Sequence, residues 1–434
     1  MQPLQSNQWE NGEYPDSYYA SSTAPAPLRP SLNASLDTDI CVVGGGYTGL
    51  STALFLQEMG YQVSLLEGGR VGWGASGRNG GQVINGLKGG FEAYERLPGS
   101  DRDTASSLAM AGRNIIMERL ERYTIDCDLQ HGMLTAAQGK RAMRELHQEA
   151  EQWRQRGIEL ELLDRESLRG HLGSDAFLGG LRDPAGAHLH PLKLALGEAR
   201  ALESLGGRIF EHSPAVSVHL EGDRPRVTTP DGEVRCRKLV LACNAYLARL
   251  QPTLARRILP TGTQMIATEP LAPELARELL PSNHCVCDRR YVLEYFRLSA
   301  DNRLLYGGGV TYGGRSPSDI EAYIRPRMER TFPQLKSVAV EFSWTGNIAI
   351  TARRLPEIGR LDPATYFAHG YSGFGVTVSH LYSQALANAI NGDHKLFDLL
   401  SQIRAVPMPG GSTLRTPVQV AGSWWYRLKD ALDV

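Results

Sequence analysis

"CVVGGGYTGLSTALFLQEMGYQVSLLEGGR", residues 41–70, sets a glycine-rich turn and a helix between two apolar runs. The run Asp39-Ile40-Cys41-Val42-Val43 is short and apolar, as expected of a strand buried on both faces of a parallel sheet. Gly44, Gly45, Gly46, Tyr47, Thr48 and Gly49 then fit G-x-G-x-x-G. Leu50, Ala53, Leu54 and Leu56 follow at helical spacing, and Gly60 ends the helix. A second apolar run, Val63 to Leu66, leads into Glu67. The pattern is strand–helix–strand with a carboxylate about twenty residues beyond the glycines, the layout of a dinucleotide-binding unit. Gly44 permits the turn, Gly46 lets backbone approach a pyrophosphate, and Gly49 lets the helix pack close to the strand. The free N–H groups of the helix N-terminus face the phosphates. Glu67 is placed to accept hydrogen bonds from ribose hydroxyls, and its charge disfavours a 2′-phosphate, hence NADP.

A chain of 434 residues exceeds the usual size of a single core, so two domains are expected. A hydrophobic content of 42% and a net charge of -1 give no electrostatic reason to expect nucleic acid or an anionic membrane as partner. No apolar run approaches the roughly 20 residues of a membrane span. Met1 to Asn33 lacks the basic start and apolar stretch of a signal peptide. Cys41, Cys127, Cys236, Cys243, Cys285 and Cys287 include no C-x-x-C pair, and no histidine cluster has metal spacing. A reduced, cytoplasmic protein is the simplest reading, with Cys285 and Cys287 on one face of a strand. Three prolines between Ser21 and Pro30, after Tyr18 and Tyr19, read as an extended arm docked by its aromatic pair.

After Glu67, "GGRVGWGASGRNGGQ" (68–82) packs seven glycines into fifteen residues, a density that brings backbone against a flat or charged group. Helices are expected at 101–124, 138–156, 191–206, 316–332 and about 375–390, with strands at 132–135, 215–220, 226–229, 233–235 and 238–246. From about 257 to 345 the pattern is mostly strands. A glycine turn opening the 375–390 helix is a second place where N–H groups face a polar ligand atom.

NAD alone would predict continued strand–helix alternation after Glu67, which the glycine loop and long helix break. A flavoprotein reduced by NAD(P)H would carry a second dinucleotide motif. "YGGGVTYGG" (306–314) has Tyr312 where the third glycine belongs and opens no amphipathic helix, so it reads as a cluster of turns. FAD reduced by an organic substrate remains.

"YPDSYYA", "CVVGGGYTGLSTA", "VGWGASGRNGGQ", "RYTIDCD", "HLHPLKLALGEA", "ACNAYL", "ADNRLLYGGGVTYGGR", "WTGNIAIT", "GYSGFGVT" and "PMPGGSTLRTP", spread from residue 14 to 417, carry a resemblance. The chain resembles the FAD-dependent D-amino-acid oxidase / glycine oxidase superfamily and, within it, the bacterial γ-glutamylputrescine oxidoreductases of polyamine catabolism. The resemblance implies an α/β fold of glutathione-reductase type: a Rossmann-like FAD-binding domain with a second, mainly antiparallel β substrate domain. The expected division is an arm at 1–36, an FAD domain from 37–90, 150–247 and 345–434, and a substrate domain from 91–149 and 248–344.

By the same resemblance, Gly44 to Gly49 and Glu67 hold the ADP half of non-covalent FAD. Arg70, Ala75, Ser76, Arg78, Asn79, Gly80, Gly81 and Gln82 line the pyrophosphate and isoalloxazine, and the Val216 backbone meets the adenine. Asn244 lies in a turn near the flavin, while Gly346 and Gly373, Phe374, Gly375, Val376 and Thr377 face its pyrimidine edge. Relatives often carry S-G-H-G where this chain has Phe374, so a histidine role there is absent or moved. The implied chemistry is oxidation of an amine C–N bond by hydride transfer to flavin N5. Tyr291, Tyr295 and Phe296 are candidates for an aromatic pocket that favours the free amine, and Arg297 and Arg315 for binding a carboxylate. No acid–base residue is assigned. The electron acceptor is oxygen or another carrier. Beside a γ-glutamylated or free polyamine stands a cyclic amino acid such as L-pipecolate as substrate, and beside both a flavin-bearing subunit without turnover.

Overall fold

The apolar run that opens the dinucleotide pattern forms the strand Ser35–Val43, fully buried from Ile40 apart from the flanking turn. In the computed structural model, which describes residues 12–24, 28–220, 224–247, 250–290, 292–312 and 317–408, this strand is central to the first of two sheets. It pairs in parallel with Val63–Leu66 on one side and Glu233–Leu241 on the other. Arg208–Phe210 and Thr365–His369 extend the parallel sheet outward, and Glu357–Asp362 closes one edge antiparallel. Strands Ser217–His219 and Arg226–Thr228 form a hairpin attached to Glu233–Leu241.

The helix Tyr47–Glu58 is buried on nearly every face, as a helix between sheet and further helices must be. It packs on Gly375–Ile390 and Pro191–Ser204. A buried polar cluster ties these helices to Arg102–Arg122. The Arg119 guanidinium donates to Glu198 (2.6 Å) and to Ser51 Oγ (2.7 Å), and His380 Nε2 lies 3.0 Å from the same Glu198 oxygen.

The second sheet runs Val340–Thr351, Ile258–Thr268, Leu304–Tyr312, Glu294–Leu298, Cys285–Asp288, Gln130–Ala137, Gly179–His188 and Gln82–Val83, with Glu161–Asp164 on Gly179–His188. Its pairings are antiparallel except between Cys285–Asp288 and Gln130–Ala137. The expected α/β architecture with a second, mainly antiparallel sheet is therefore what the chain adopts. Sheet membership divides the chain more finely than the expected boundaries. Glu161–Asp164 and Gly179–His188, assigned from sequence to the cofactor domain, belong to the second sheet. Helix Arg102–Arg122, assigned to the substrate domain, packs on Gly375–Ile390. Gly112 permits that contact, since a Cβ there would lie 2.2 Å from the Thr377 carbonyl.

Most expected elements appear, including helices Lys140–Arg154, Pro191–Ser204 and Ile320–Thr331. The glycines of "YGGGVTYGG" are a correction: Gly307, Gly308 and Gly309 lie inside the strand Leu304–Tyr312, not in turns. A Cβ on Gly307 would lie 2.3 Å from the Tyr295 ring, and one on Gly309 2.4 Å from the Tyr323 ring. These glycines make room for aromatic rings laid across the strand.

The aromatic arm is docked, though with one turn of helix, Tyr18–Ser21, where an extended chain was expected; Ser17 Oγ caps it by accepting from Ala20 N–H. Residues 25–27 of its proline stretch lie outside the described residues. Tyr19 is fully buried, its ring 4.9 Å from His190 and 5.2 Å from Trp344. Tyr18 donates to Asp301 at 2.6 Å. All six cysteines are free, and Cys285 and Cys287 share one cluster with Met133. Among the described residues no helix is long and apolar enough to cross a membrane.

Two buried histidines make a testable link to pH. His190 Nδ1 accepts from Lys193 N–H to cap its helix, and His188 Nε2 meets the Asn283 carbonyl at 2.8 Å. Burial first, then the nearby Arg297 charge, pushes both down to about 3. The unfolded chain protonates them near their ordinary value of about 6.5. It therefore binds more protons than the native state between these limits, and stability falls as pH drops from about 6.5 towards 3, by up to about 1.4 kcal/mol per pH unit for each histidine. The denaturation midpoint at pH 5.5 should lie below that at pH 7; an equal or higher midpoint contradicts the assignment.

Candidate dinucleotide site

The turn after Ser35–Val43 is built by what side chains would strike. Gly44 has φ +113°, and a Cβ on it would lie 2.8 Å from the Ala242 carbonyl oxygen. A Cβ on Gly49 would lie 1.8 Å from the Gly44 carbonyl oxygen, so the helix sits directly on the turn. Gly46 caps Tyr47–Glu58 with no side chain of its own; Tyr47 N–H donates instead to Ser76 Oγ at 3.0 Å. The next N–H groups of that first turn have no intrahelical acceptor.

Glu67 stands at the tip of Val63–Leu66. One carboxylate oxygen accepts from Gly45 N–H at 2.6 Å and the other from Gly69 N–H at 2.9 Å. The side chain is buried, and that burial pushes its carboxyl above the usual carboxylate range while the Gly69 and Gly45 N–H groups pull it back.

A cleft of about 650 Å³ opens at the carboxyl ends of these parallel strands, where open α/β sheets bind their ligands. Of the expected cofactor residues, Gly44, Gly46, Tyr47, Thr48, Glu67, Ala75, Ser76, Asn79, Val216, Asn244, Gly373, Gly375 and Val376 line it. The Gly-rich turn after Thr365–His369 thus joins the first dinucleotide turn across one cavity. Sequence reasoning missed Trp73, Tyr246, Ile348 and Tyr371, which line the same cleft. Tyr371 is tied in through its hydroxyl, 2.8 Å from Thr48 Oγ1. Aromatic and apolar residues such as these look like core in a sequence, and only the fold brings the four together.

The remaining expected residues hold the walls. Gly45 donates to Glu67, and Gly49 supports the turn. Arg70 lies 3.5 Å from Glu211 and 3.4 Å from Glu13. Arg78 stacks over Trp73 at 4.3 Å and donates to the Trp73 and Thr345 carbonyls. Its Nη2 is buried and has no hydrogen-bond partner among the described residues. Gly80 and Gly81 carry carbonyls that accept from Arg297 Nε (2.7 Å) and Leu189 N–H (2.8 Å). Gln82 donates to the Val286 carbonyl. Gly346 lies against Arg78, and the Thr377 backbone packs on Gly112 outside the cleft lining. Phe374 points its ring away towards Gly86.

Arg297 departs from its expected role. It is 3% exposed, and its guanidinium donates to the carbonyls of Gly80, Leu189 and Leu298 and to the Tyr19 hydroxyl. It braces the glycine loop, and those contacts take up the fork that a substrate carboxylate would need. Tyr295 lies with its ring against Gly80 and Gly307, beside the loop. Tyr291 and Arg315 lie outside the described residues.

The residues present fit a dinucleotide: a Cβ on Gly46 would close the cradle at 2.8 Å from Ser76 Oγ, and the helix N-terminus and Glu67 supply an anion site and a hydroxyl acceptor beside it. Glu67→Ala should lower the affinity of the apoprotein for FAD about ten- to a hundredfold, the effect of losing a charged hydrogen-bond partner. Fluorescence titration with FAD measures this directly, and an unchanged affinity removes Glu67 from the site.

Comparison with known proteins agrees with this geometry. The chain is 45% identical to γ-glutamylputrescine oxidoreductase of Escherichia coli over 426 residues, 97% of this chain and 100% of that protein. Glycine oxidase from Geobacillus kaustophilus superposes with a TM-score of 0.69 at 22% identity, covering 82% of this chain and 95% of that one. Glycine oxidase from Bacillus cereus gives a TM-score of 0.71 at 20% identity, over 85% and 99%. The family profile described as "DAO: FAD dependent oxidoreductase" matches residues 39–389, and the chain belongs to that family of FAD-dependent enzymes.

Proposed function

We propose that this enzyme oxidises the C–N bond of γ-glutamylputrescine or a related polyamine, using tightly but non-covalently held FAD. The observation that carries the reading is the end-to-end match to the Escherichia coli enzyme, at 45% identity with all of that protein covered. Bound FAD supplies an electron sink for hydride leaving the carbon beside the amine, and water hydrolyses the resulting imine to an aldehyde and ammonia or an amine.

The chain's own residues orient and desolvate. Gly44, Gly46 and the first turn of Tyr47–Glu58 hold the pyrophosphate, and Glu67 holds the adenosine ribose. The N-terminus of Gly375–Ile390 opens on the cleft at Gly375 and Val376, where its dipole would favour a negatively charged group of the cofactor. Tyr295, whose ring lies against Gly80 and Gly307 beside the glycine loop, adds apolar wall there, and a dry, low-dielectric site favours the free amine over the ammonium. Cys243, the free thiol beside the cleft, is pushed up to about 12 by burial and then by Glu67, which keeps it an unreactive thiol. The electron acceptor is oxygen or a separate carrier.

Anaerobic stopped flow with γ-glutamylputrescine should bleach the flavin, with slower reduction or none by L-pipecolate. Acid precipitation of the same preparation should leave intact FAD in the supernatant. Rapid bleaching by pipecolate with every polyamine silent overturns the substrate reading, and flavin retained in the pellet overturns non-covalent binding.

A further inference from the structure

Three residues of the cleft wall, Tyr47, Val376 and Ser379, have His380 directly behind them. The His380 ring lies 5.4 Å from the Tyr47 ring, and its Nδ1 is 2.6 Å from the Val376 carbonyl oxygen and 3.5 Å from Ser379 Oγ. The residue is fully buried, so it supports the wall without reaching the cavity. On the far side its Nε2 is 3.0 Å from Glu198 Oε1, which also accepts from Arg119 Nη1 at 2.6 Å.

These contacts fix how many protons the ring carries. A carbonyl oxygen only accepts, so the short contact to Val376 requires a proton on Nδ1. An ionised carboxylate also only accepts, so Nε2 needs a proton as well. A protonated Glu198 could donate to Nε2 instead, but its surroundings oppose that form. Burial raises the cost of its charge, and the facing His380 and Arg119 more than offset it, holding the carboxyl below the usual carboxylate range. A ring with both protons is an imidazolium. Among the described residues Glu198 is the one carboxylate paired with His380 or with Arg119, so two cations share one anion. The other polar residues against the cluster are neutral: Ser51, which accepts from Arg119, and Tyr47 and Ser379. One positive charge is left over, and a buried charge is screened little by salt.

His380 stands in the first turns of the helix Gly375–Ile390, near the end where the helix dipole is positive. A cation there is disfavoured unless it is paired, and Glu198 supplies the pair. The imidazolium then adds its charge to the dipole behind the wall of the cleft. We propose that His380, held as an imidazolium by Val376 and Glu198, gives the flavin end of the cleft a fixed positive charge that stabilises the anionic reduced cofactor. Hydride taken from the substrate carbon leaves the flavin with one added hydrogen and one added negative charge, so this charge favours the reduced side. His380 touches neither substrate nor cofactor and acts through the wall as a positioning residue. The proposal rests on the flavin placement in the reading above and is independent of which amine is oxidised.

Sulfite is the probe: its sulfur lone pair adds to flavin N5, leaving a negative charge on the ring and bleaching its visible absorption. His380→Asn keeps a donor towards Val376, His380→Gln keeps one towards Glu198, and both lose the charge. FAD content and the thermal midpoint confirm that each holoenzyme is folded. Sulfite affinity should fall about tenfold in both variants, the effect of one charge acting at a low effective dielectric constant. The flavin midpoint potential should become more negative in both. NMR of the histidine-labelled wild-type holoenzyme should show a ring with both nitrogens protonated and shielded from solvent exchange, and absence of such a ring overturns the proposal. Flavin bound at Gly375 and Val376 in the FAD-loaded crystal structure, with sulfite affinity unchanged in both variants, overturns the role of His380 alone. Flavin bound elsewhere overturns the placement, and that role with it.

Discussion

The buried carboxylate of Glu67 is the constraint on which the cofactor site depends. It accepts backbone hydrogen bonds from Gly45 in the first glycine turn and from Gly69 in the second glycine-rich loop. One side chain at one strand tip thus ties the first glycine turn to the second loop, which also meets it through Gly72 N–H on the Gly45 carbonyl at 2.9 Å. Burial opposes its ionised form, and the two N–H groups offset that cost. The same geometry leaves its lone pairs beside the cavity, where a ribose hydroxyl adds to an existing network.

Residues 68–82 carry seven glycines, which leave them little side-chain packing of their own beyond Arg78 on Trp73. Support comes from two directions. The N-terminal arm supplies the Tyr14 hydroxyl to the Val71 carbonyl at 2.7 Å and accepts from Trp73 Nε1 on the Glu13 carbonyl at 2.8 Å. The second sheet supplies Trp344 Nε1 to the Arg78 carbonyl at 3.0 Å and Arg297 to Gly80. Tyr19 closes the circuit by meeting both Trp344 and Arg297. The arm precedes residues 39–389, which the family profile matches, and the match to the Escherichia coli enzyme spans 97% of the chain.

The first dinucleotide unit was legible because its restraints are local: a strand, a turn that admits only glycine, a helix and an acid, all within residues 39 to 67. The turn before Gly375–Ile390 was legible for the same reason. Contacts between distant residues were not. Gly307 and Gly309 look like turn formers until Tyr295 and Tyr323 are seen lying on them. Arg297 looks like a carboxylate ligand until Gly80 and Leu189, over a hundred residues away in sequence, take up its donors. The Arg119–Glu198–His380 cluster has no motif at all, since its members come from three separate helices.

We propose that one cleft holds FAD, with its adenosine at Glu67 and its flavin at the start of Gly375–Ile390. A crystal structure of the FAD-loaded enzyme tests it most directly. The account predicts ribose hydroxyls within hydrogen-bond distance of the Glu67 carboxylate, the pyrophosphate over the N-terminus of Tyr47–Glu58, and the flavin pyrimidine edge facing Gly375 and Val376. A ribose bound by another side chain, or a flavin lying away from that helix, would contradict it.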